Sequence, residues 1–588
     1  MNKQEKIVAG VLFVMLAAWV MLDVKNNKDK QRLAAVEKDR PAEVVAQQVQ
    51  SASVPAVESK PVIGAPAAEQ VPERIVELQN PEIAIRISSR GGVIKSAVLN
   101  EYQDLPGDNG NPVLLDFNAQ PALGLEGVSA FPPETPFAVD KESETSVTLT
   151  AVNPQGLMFR RHIELQDGYQ IAVTDSFQNN TASPVQMGPA ALTLGSMHRG
   201  ASKNDILGVD ALPGAADGKT VYWETKIQGL FTGSSGGMFG CSGSAPAANL
   251  PEKAGQKIDA EQSWVAIKSR FFVQLFAASD PVKGYAFEAV RSKTAKTYEL
   301  DYASAKVFFA DEQVAANSVN ERAYRLYLGP KKLALLRSLD MRAEEVMDFG
   351  FFKWFCIAIV PTLNFFHSLI PNYGVAIILL TVLVRIIFWP LTHRSTESMK
   401  RMQEIQPLLK AVQAEFKDAP QKFQQETWKI YHENKVNPLA SCLPMLVQIP
   451  VFIALFTVLR SSVELRYAPF LWIVDLSEPE NLLAGILPIP LNIWPLLMTV
   501  TMALQSYLTP SMGDPAQQKM MMIMMPLMML FMFYSMPSAL CLYWTVSQVL
   551  SIVQMLMQRR KAKKPGGPSD PEVLLTTRQQ RRAAERTV

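Results

Sequence analysis

Tyr373-Gly-Val-Ala-Ile-Ile-Leu-Leu-Thr-Val-Leu-Val-Arg385-Ile-Ile-Phe-Trp-Pro-Leu391 is almost wholly apolar and carries a single charge. An α-helix needs about 20 such residues to cross a hydrocarbon core roughly 30 Å thick, so the stretch reads as a membrane span. Arg385 then requires an explanation. An arginine at the centre of a spanning helix costs about 2.5 to 3.5 kcal/mol on insertion scales, which marks it as a functional candidate. The competing reading is snorkelling, because Arg385 lies toward the Leu391 end and its long stem can stay in lipid while the guanidinium reaches the interface.

The flanking sequence has a membrane protein's composition. Hydrophobic residues make up 48% of 588, with 26 Met and 9 Trp, too apolar and too long for one soluble domain. The apolar residues are segregated: 25–345 reads as soluble, whereas 346–558 contains several runs of spanning length. A net charge of +2 says little by itself; its distribution across the membrane says more. Cys241, Cys356, Cys442 and Cys541 are scattered, and make neither a disulfide framework nor a zinc pattern.

Downstream of the arginine helix, 393–436 reads as a cytosolic helical hairpin. Met402, Ile405, Leu409, Val412 and Phe416 recur at 3-4-3-4 spacing, 417–420 breaks the pattern, and a second helix carries Phe423, Trp428 and Tyr431. Arg394, Lys400, Arg401, Lys410, Lys422, Lys429 and Lys435 line it, partly offset by acids, which fits a solvated hairpin better than a dedicated nucleic-acid site. The basic excess places it inside. Four more spans are expected at 438–459, 487–508, 519–534 and 539–557, joined by an outer loop at 460–480, a tight inner turn at 510–515 and a short outer turn at 536–538. The tail, 559–588, is strongly basic and hence cytosolic.

Upstream, 346–370 is thick with Phe and Trp, and Lys353 and Pro361 interrupt it. Such a segment suits an interfacial amphipathic helix; a separate span is the alternative and would invert everything downstream. Between 75 and 345, short segments alternate at period two between turn clusters, the pattern of an all-β sandwich. Sandwiches of this kind also serve carbohydrate-processing enzymes, but His162 and His198 read as surface or core residues, and Gly233-Ser-Ser-Gly-Gly as a loop rather than a phosphate cradle. Residues 25–74 have a linker's composition. Residues 1–24 read as an uncleaved signal anchor, N-terminus inside, because no small-residue cleavage site follows the apolar run. The expected fold is therefore a polytopic α-helical membrane protein of six transmembrane helices plus an all-β sandwich, both termini on one side.

The spans share polar stripes. Thr381 stands one turn before Arg385; Ser441 and Gln448 share a face, as do Thr501 and Gln505; Tyr543, Trp544, Ser547, Gln548 and Ser551 follow one another on the last helix. Each alone is ordinary interhelical hydrogen bonding. Together around Arg385 they would line a water-holding cavity that takes a transient anionic or polar client. The expected spans contain no Asp or Glu, which argues against an ion-paired proton relay. The run Lys519-Met-Met-Met-Ile-Met-Met-Pro-Leu-Met-Met supplies a flexible, polarisable surface suited to varied apolar partners.

Val384-Arg385, Pro390-Leu-Thr, Gln406-Pro, Lys435-Val-Asn-Pro-Leu439, Leu446-Val-Gln-Ile-Pro450, Ser462-Val-Glu-Leu-Arg466, Ala468-Pro-Phe-Leu-Trp472, Asp514-Pro and Leu542-Tyr-Trp together resemble the bacterial YidC membrane protein insertases. With the signal anchor, the sandwich and Leu328-Gly-Pro-Lys331, the likeness covers nearly the whole chain in its Gram-negative form. The resemblance implies a five-helix core that moves nascent inner-membrane proteins into the bilayer, alone or with the Sec translocon, through a groove open to cytosol and lipid. It implies Arg385 as the groove arginine, with Thr381, Gln448, Tyr543 and Trp544 beside it; Trp544 departs from the Tyr-Tyr pair of many relatives. It implies a client- or ribosome-receiving hairpin carrying Arg394, Lys400, Arg401 and Lys410, a non-catalytic sandwich in the periplasm whose edge meets Sec-associated partners in some members, and neither cofactor nor metal. A small-anion transporter using Arg385 and a membrane-tethered carbohydrate-binding module remain the competing classes; internal repeats, usual in the former, are not evident.

Overall fold

The computed structural model describes residues 72–562, apart from 108–109, 189, 201, 203–204, 216–217, 233–249, 293–298, 417–418, 435–442, 485, 487–488 and 509–514. The expected signal anchor, most of the linker, the Gly233 loop and most of the basic tail lie outside these residues.

Strands from Ile75 to Pro330 build two antiparallel nine-stranded sheets. One runs in the order Ile75–Gln79, Ile83–Ser88, Val93–Gln103, Ala122–Glu126, Ala191–His198, Leu300–Phe308, Gly284–Arg291 and Lys253–Ile258, with Pro112–Asp116 also on Val93–Gln103. The other runs Val221–Tyr222, Leu207–Pro213, Gln262–Ser269, Phe272–Val282, Val319–Pro330, Gln170–Asn179, Leu157–Leu165, Ser146–Val152 and Ala138–Glu142. Alternation drives the layering. In Gln170–Asn179 every second residue is buried, as the period of a half-buried strand requires. Polar side chains cross between the layers. Arg161, fully buried, pairs with both Asp175 oxygens at 2.7 Å and donates to the carbonyls of Gly92 and Leu123 on the facing sheet, while Gln274 Nε2 donates to Ser196 O at 3.0 Å. His162 Nδ1 sits 3.0 Å from Thr148 Oγ1 as a cross-strand partner, and His198 is exposed beside the Tyr302 ring; neither gathers carboxylates.

Helix α1 (Glu224–Thr232) covers one sheet edge, and α2 (Leu333–Arg337) follows the last strand. A 3-10 turn, Ala343–Met347, then leads toward the helical region. It is tied to the sandwich by Tyr222 OH to Glu345 O (2.9 Å), Trp264 Nε1 to Met341 O (3.0 Å) and Lys268 Nζ to Val346 O (3.2 Å). Lys268 is buried but paired, 2.8 Å from Asp210 and 3.7 Å from Glu224. Lys331 is buried as well, and burial, reinforced by repulsion from Lys268, pushes its ammonium down to about 7.

The remaining helices are α3 (Lys353–Leu369), α4 (Tyr373–Glu404), α5 (Gln406–Glu415), α6 (Pro420–Glu433), α7 (Leu443–Ser461), α8 (Ile493–Leu508), α9 (Pro515–Phe533) and α10 (Ser538–Ala562). Helix α8 packs against both α9 and α10. Gly374 at the start of α4 admits the Phe470 ring, which would lie 2.1 Å from an added Cβ.

Residues 388–452 cluster as a compact unit separate from 71–387 with 453–588. Helix α4 continues without a break through Pro390 to Glu404, into the segment expected to form the hairpin; a proline removes one donor, a loss that apolar helices tolerate. The break falls at Ile405, where Pro407 enters near the first position of α5 and the chain restarts its helix. The 3-4-3-4 stripe is thus split between α4 and α5. Met402 and Ile405 are buried against Leu408, Leu409, Ile430 and Tyr431, whereas Trp428 is 60% exposed.

Among the described residues three helices are long and apolar enough to span a membrane: Gly350–Leu369, Tyr373–His393 and Ser538–Met557, with mean hydropathy 1.2, 2.3 and 1.5. Gln448–Ser461, Ile493–Leu508 and Met522–Phe533 are shorter apolar helices at three of the expected spans. Pro490 stands just before α8, whose described residues begin at Ile493 and rise about 24 Å over 16 residues. Helix α3 buries Cys356, Ile359, Val360 and Leu363 on one face and exposes Trp354, Phe365 and Leu369; its outer face is apolar rather than polar, and so meets the composition of a span.

Lys331 makes a pH-dependent prediction. Its folded value of about 7 lies below the ordinary 10.5, so between these values the unfolded chain binds the proton more tightly. Stability from this group therefore rises from pH 7 to 10.5, and the full penalty applies below 7. Lys331→Met is expected to melt a few degrees higher than the parent at pH 7, with the gap closing toward pH 10.5 in thermal unfolding of the full chain. A gap constant with pH contradicts this assignment.

Candidate polar site at Arg385

Arg385 reaches α10. Its Nη2 donates to Ser547 Oγ at 2.5 Å and to the Ser547 carbonyl at 2.7 Å. The same carbonyl accepts the Ser551 hydroxyl at 3.1 Å, so three polar groups converge on one helical turn. Arg385 is half-buried, and among the described residues no carboxylate pairs with it. A guanidinium carries five N–H donors, and Nη2 supplies the two that Ser547 takes. The positive charge is oriented but not neutralised.

Thr381 is 1% exposed, but its hydroxyl bonds back to Ile377 O at 2.7 Å. It braces the turn below Arg385 rather than touching the guanidinium. Tyr543, buried, lies one helical turn before Ser547 on the same face. Gln548, one residue on, faces α8: its Oε1 is 3.0 Å from Thr501 Oγ1, whose single proton is shared with Met498 O at 2.9 Å. Gln505 is half-buried one turn beyond Thr501. The Trp544 ring packs 5.4 Å from that of Phe533, a contact with the end of α9.

The structure thus brings Arg385, Ser547 and Ser551 together, and Thr501 with Gln548. Ser441 lies outside the described residues, and Gln448, half-buried, belongs to the unit 388–452. On the hairpin, the side chains of Arg394, Lys400 and Lys410 lie outside the described residues, while Arg401 pairs with Glu397 at 2.8 Å, one turn away and exposed. Sequence reasoning misses the Ser547 carbonyl, because every residue has one and nothing in a side-chain pattern marks which will accept a guanidinium. The described residues contain no group of three or more His, Cys, Asp or Glu able to hold a metal.

Chemically, the arrangement offers a fixed cation, hydroxyls and an amide between apolar helices. It can bind and orient polar or anionic groups without a nucleophile, an acid–base pair or a metal.

Residues 365–565 match the family described as 60Kd inner membrane protein, and residues 75–360 match the YidC periplasmic domain. The membrane protein insertase YidC of Pelobacter propionicus is 32% identical over 531 residues, covering 86% of this chain and 92% of that protein. The membrane protein insertase YidC of Geobacter sulfurreducens is 32% identical over 493 residues, covering 81% and 84%. A crystal structure of an active YidC insertase with its first transmembrane domain resolved is 18% identical, covers 83% of this chain and 94% of that one, and has a TM-score of 0.33.

The Thr501–Gln548 contact is expected to be worth roughly 0.6 kcal/mol, the average for interhelical hydrogen bonds in bilayers. A double-mutant cycle with Thr501→Val and Gln548→Leu, read by unfolding in mixed micelles, should return a coupling of that order, and zero coupling would exclude the bond.

Proposed function

The chain belongs to the YidC family of membrane protein insertases, and we propose that it carries out insertion at the polar strip formed by Arg385, Ser547, Ser551, Gln548 and Thr501. Its relatives are insertases over most of their length, and so is this protein. It resides in the inner membrane, with the β-rich region in the periplasm. The observation that carries the site is the geometry of Arg385: a guanidinium inside an apolar helix, bound among the described residues only to a serine hydroxyl and a backbone carbonyl.

The physical problem is the client's hydrophilic segment. Every unsatisfied polar group in hydrocarbon costs several kcal/mol. An oriented, un-neutralised cation with hydroxyls beside it supplies partners part-way across, and acts most strongly on acidic segments. The client's apolar helix leaves along α9, whose Ile523, Met524, Leu527, Met528 and Phe531 are exposed. Methionine adapts to many apolar shapes. No covalent step is needed.

The finer topology follows from the same reading: six spans counting 1–24, five of them in 371–558, and both termini and the hairpin 393–436 in the cytosol; α3, although long and apolar enough to span, lies in the outer interface, because its exposed Trp354 and Phe365 favour headgroup depth. The basic hairpin, with Arg394, Lys400, Arg401 and Lys410, receives nascent chains near the ribosome, and the sandwich offers its edge to the Sec translocon. Basic loops on the inner side support this orientation.

In cells depleted of the native insertase, Arg385→Lys is expected to insert clients better than Arg385→Ala, since it keeps the charge but loses the planar fork. Arg385→Ala should lower insertion of a client with an acidic translocated segment several-fold, and Arg385→Glu should be worst for such clients. Equal insertion by all three, measured by protease protection of the translocated segment, would remove Arg385 from the mechanism.

A further inference from the structure

Arg270 stands in the turn between the strands Gln262–Ser269 and Phe272–Val282, far in sequence from the helices, yet its side chain is 1% exposed. Every polar edge of its guanidinium is used. Nε donates to Arg460 O at 2.7 Å, Nη2 to Ser477 O at 2.5 Å, and Nη1 pairs with the Glu478 carboxylate. Asp205 Oδ1 accepts the Arg270 backbone N–H at 3.2 Å, and Ser202 Oγ donates to Glu478 Oε1 at 2.8 Å.

These acceptors are helix ends. Arg460 is the penultimate residue of α7, and its carbonyl is one of the last four that a helix leaves without an internal partner. At the other side, Glu478 O accepts both Ser538 N (2.9 Å) and Ser538 Oγ (2.7 Å), and Leu476 O accepts Ala539 N (2.9 Å). These are the first donors of α10. The segment between is itself braced, with Asp475 Oδ1 accepting Tyr467 N, Ser477 N and Ser477 Oγ. One guanidinium on the sandwich therefore joins the outer ends of α7 and α10.

We propose that Arg270 is a positioning residue for insertion, locking the outer ends of α7 and α10 so that α10 presents Ser547 to Arg385 and Gln548 to Thr501 at a fixed depth and rotation. The proposal rests on the reading of the Arg385 strip as the client path. From Ser538 to Ser547 the helix rises about 14 Å, and each residue turns it by about 100°, so a slip of one residue in the first turn carries the Ser547 carbonyl away from Arg385. A buried ion pair adds little stability over an apolar pair of equal volume. What a forked, three-acceptor guanidinium adds is direction.

Cys541, three residues after Ser538, is 0% exposed and serves as a native reporter in the full-length protein in membranes, with Cys241→Ser, Cys356→Ala and Cys442→Ser as background. Labelling by a membrane-impermeant maleimide from the periplasmic side should be slow in that background and at least fivefold faster with Arg270→Ala, with client insertion reduced several-fold at equal protein level. Arg270→Lys should fall between, because an ammonium cannot span three acceptors. Unchanged labelling overturns the lock, and faster labelling with normal insertion overturns its link to the strip. Arg385→Ala should lower insertion with no change in labelling, so failure of the strip itself shows separately, as normal insertion in that variant. If Arg270→Ala does not accumulate, Glu478→Gln, which keeps the carbonyl acceptors and loses the charge, should shift labelling in the same direction by a smaller factor; no shift overturns the proposal.

Discussion

A positive charge within apolar helices must be neutralised, hydrated or solvated by dipoles, and Arg385 is held by dipoles: one hydroxyl and one backbone carbonyl of Ser547. This choice constrains α10 more than a salt bridge would. A carboxylate on a flexible side chain can follow an arginine, but a helical carbonyl moves only with its helix. The contact therefore fixes α10 against α4 in rotation and depth, and Thr501 to Gln548 fixes α8 against the neighbouring face of α10. The strip is a consequence of helix registration, which makes the ends of the helices as important as their middles.

The sandwich contributes rigidity to those ends. Its three most buried cations are each committed: Arg161 to Asp175 and two carbonyls on the facing sheet, Lys268 to Asp210 and the connector at Val346, Arg270 to Glu478 and the outer helix ends. The first holds sheet to sheet, the second sheet to connector, the third sheet to helices. Their sequence from interior to rim describes a path by which the fold of the β-rich region fixes the geometry of the helices it adjoins.

Much of this architecture is legible in the sequence because it depends on periodicity. Strands such as Gln170–Asn179 alternate visibly, and the apolar helices appear close to where hydropathy places them. The polar residues that matter in the strip are also legible as types, since Ser, Thr and Gln on apolar helices stand out. What is not legible is pairing. Thr381 looks like a partner for Arg385 but bonds its own helix, and the decisive acceptor is a carbonyl that no side-chain pattern encodes. Helix ends are equally obscure. Helix α4 runs through Pro390, whereas the chain restarts as α5 at Pro407, more than four turns beyond Leu391. Helix α3 is ambiguous for a physical reason: its exposed face of Trp354, Phe365 and Leu369 suits both an interface and a span.

Arg385 and Arg270 make an instructive pair. Both insert a guanidinium between elements and both take backbone carbonyls, but Arg270 also meets a carboxylate and is sealed at 1% exposure, whereas Arg385 has no carboxylate among the described residues and stays half-open. A neutralised, buried fork has nothing left to offer a passing chain and functions as a fastener. An un-neutralised fork with unused donors retains a field, and in an apolar surround that field falls off slowly. The difference between the two sites is thus one carboxylate: with it the fork is a fastener, and without it the fork is the group we propose acts on the client.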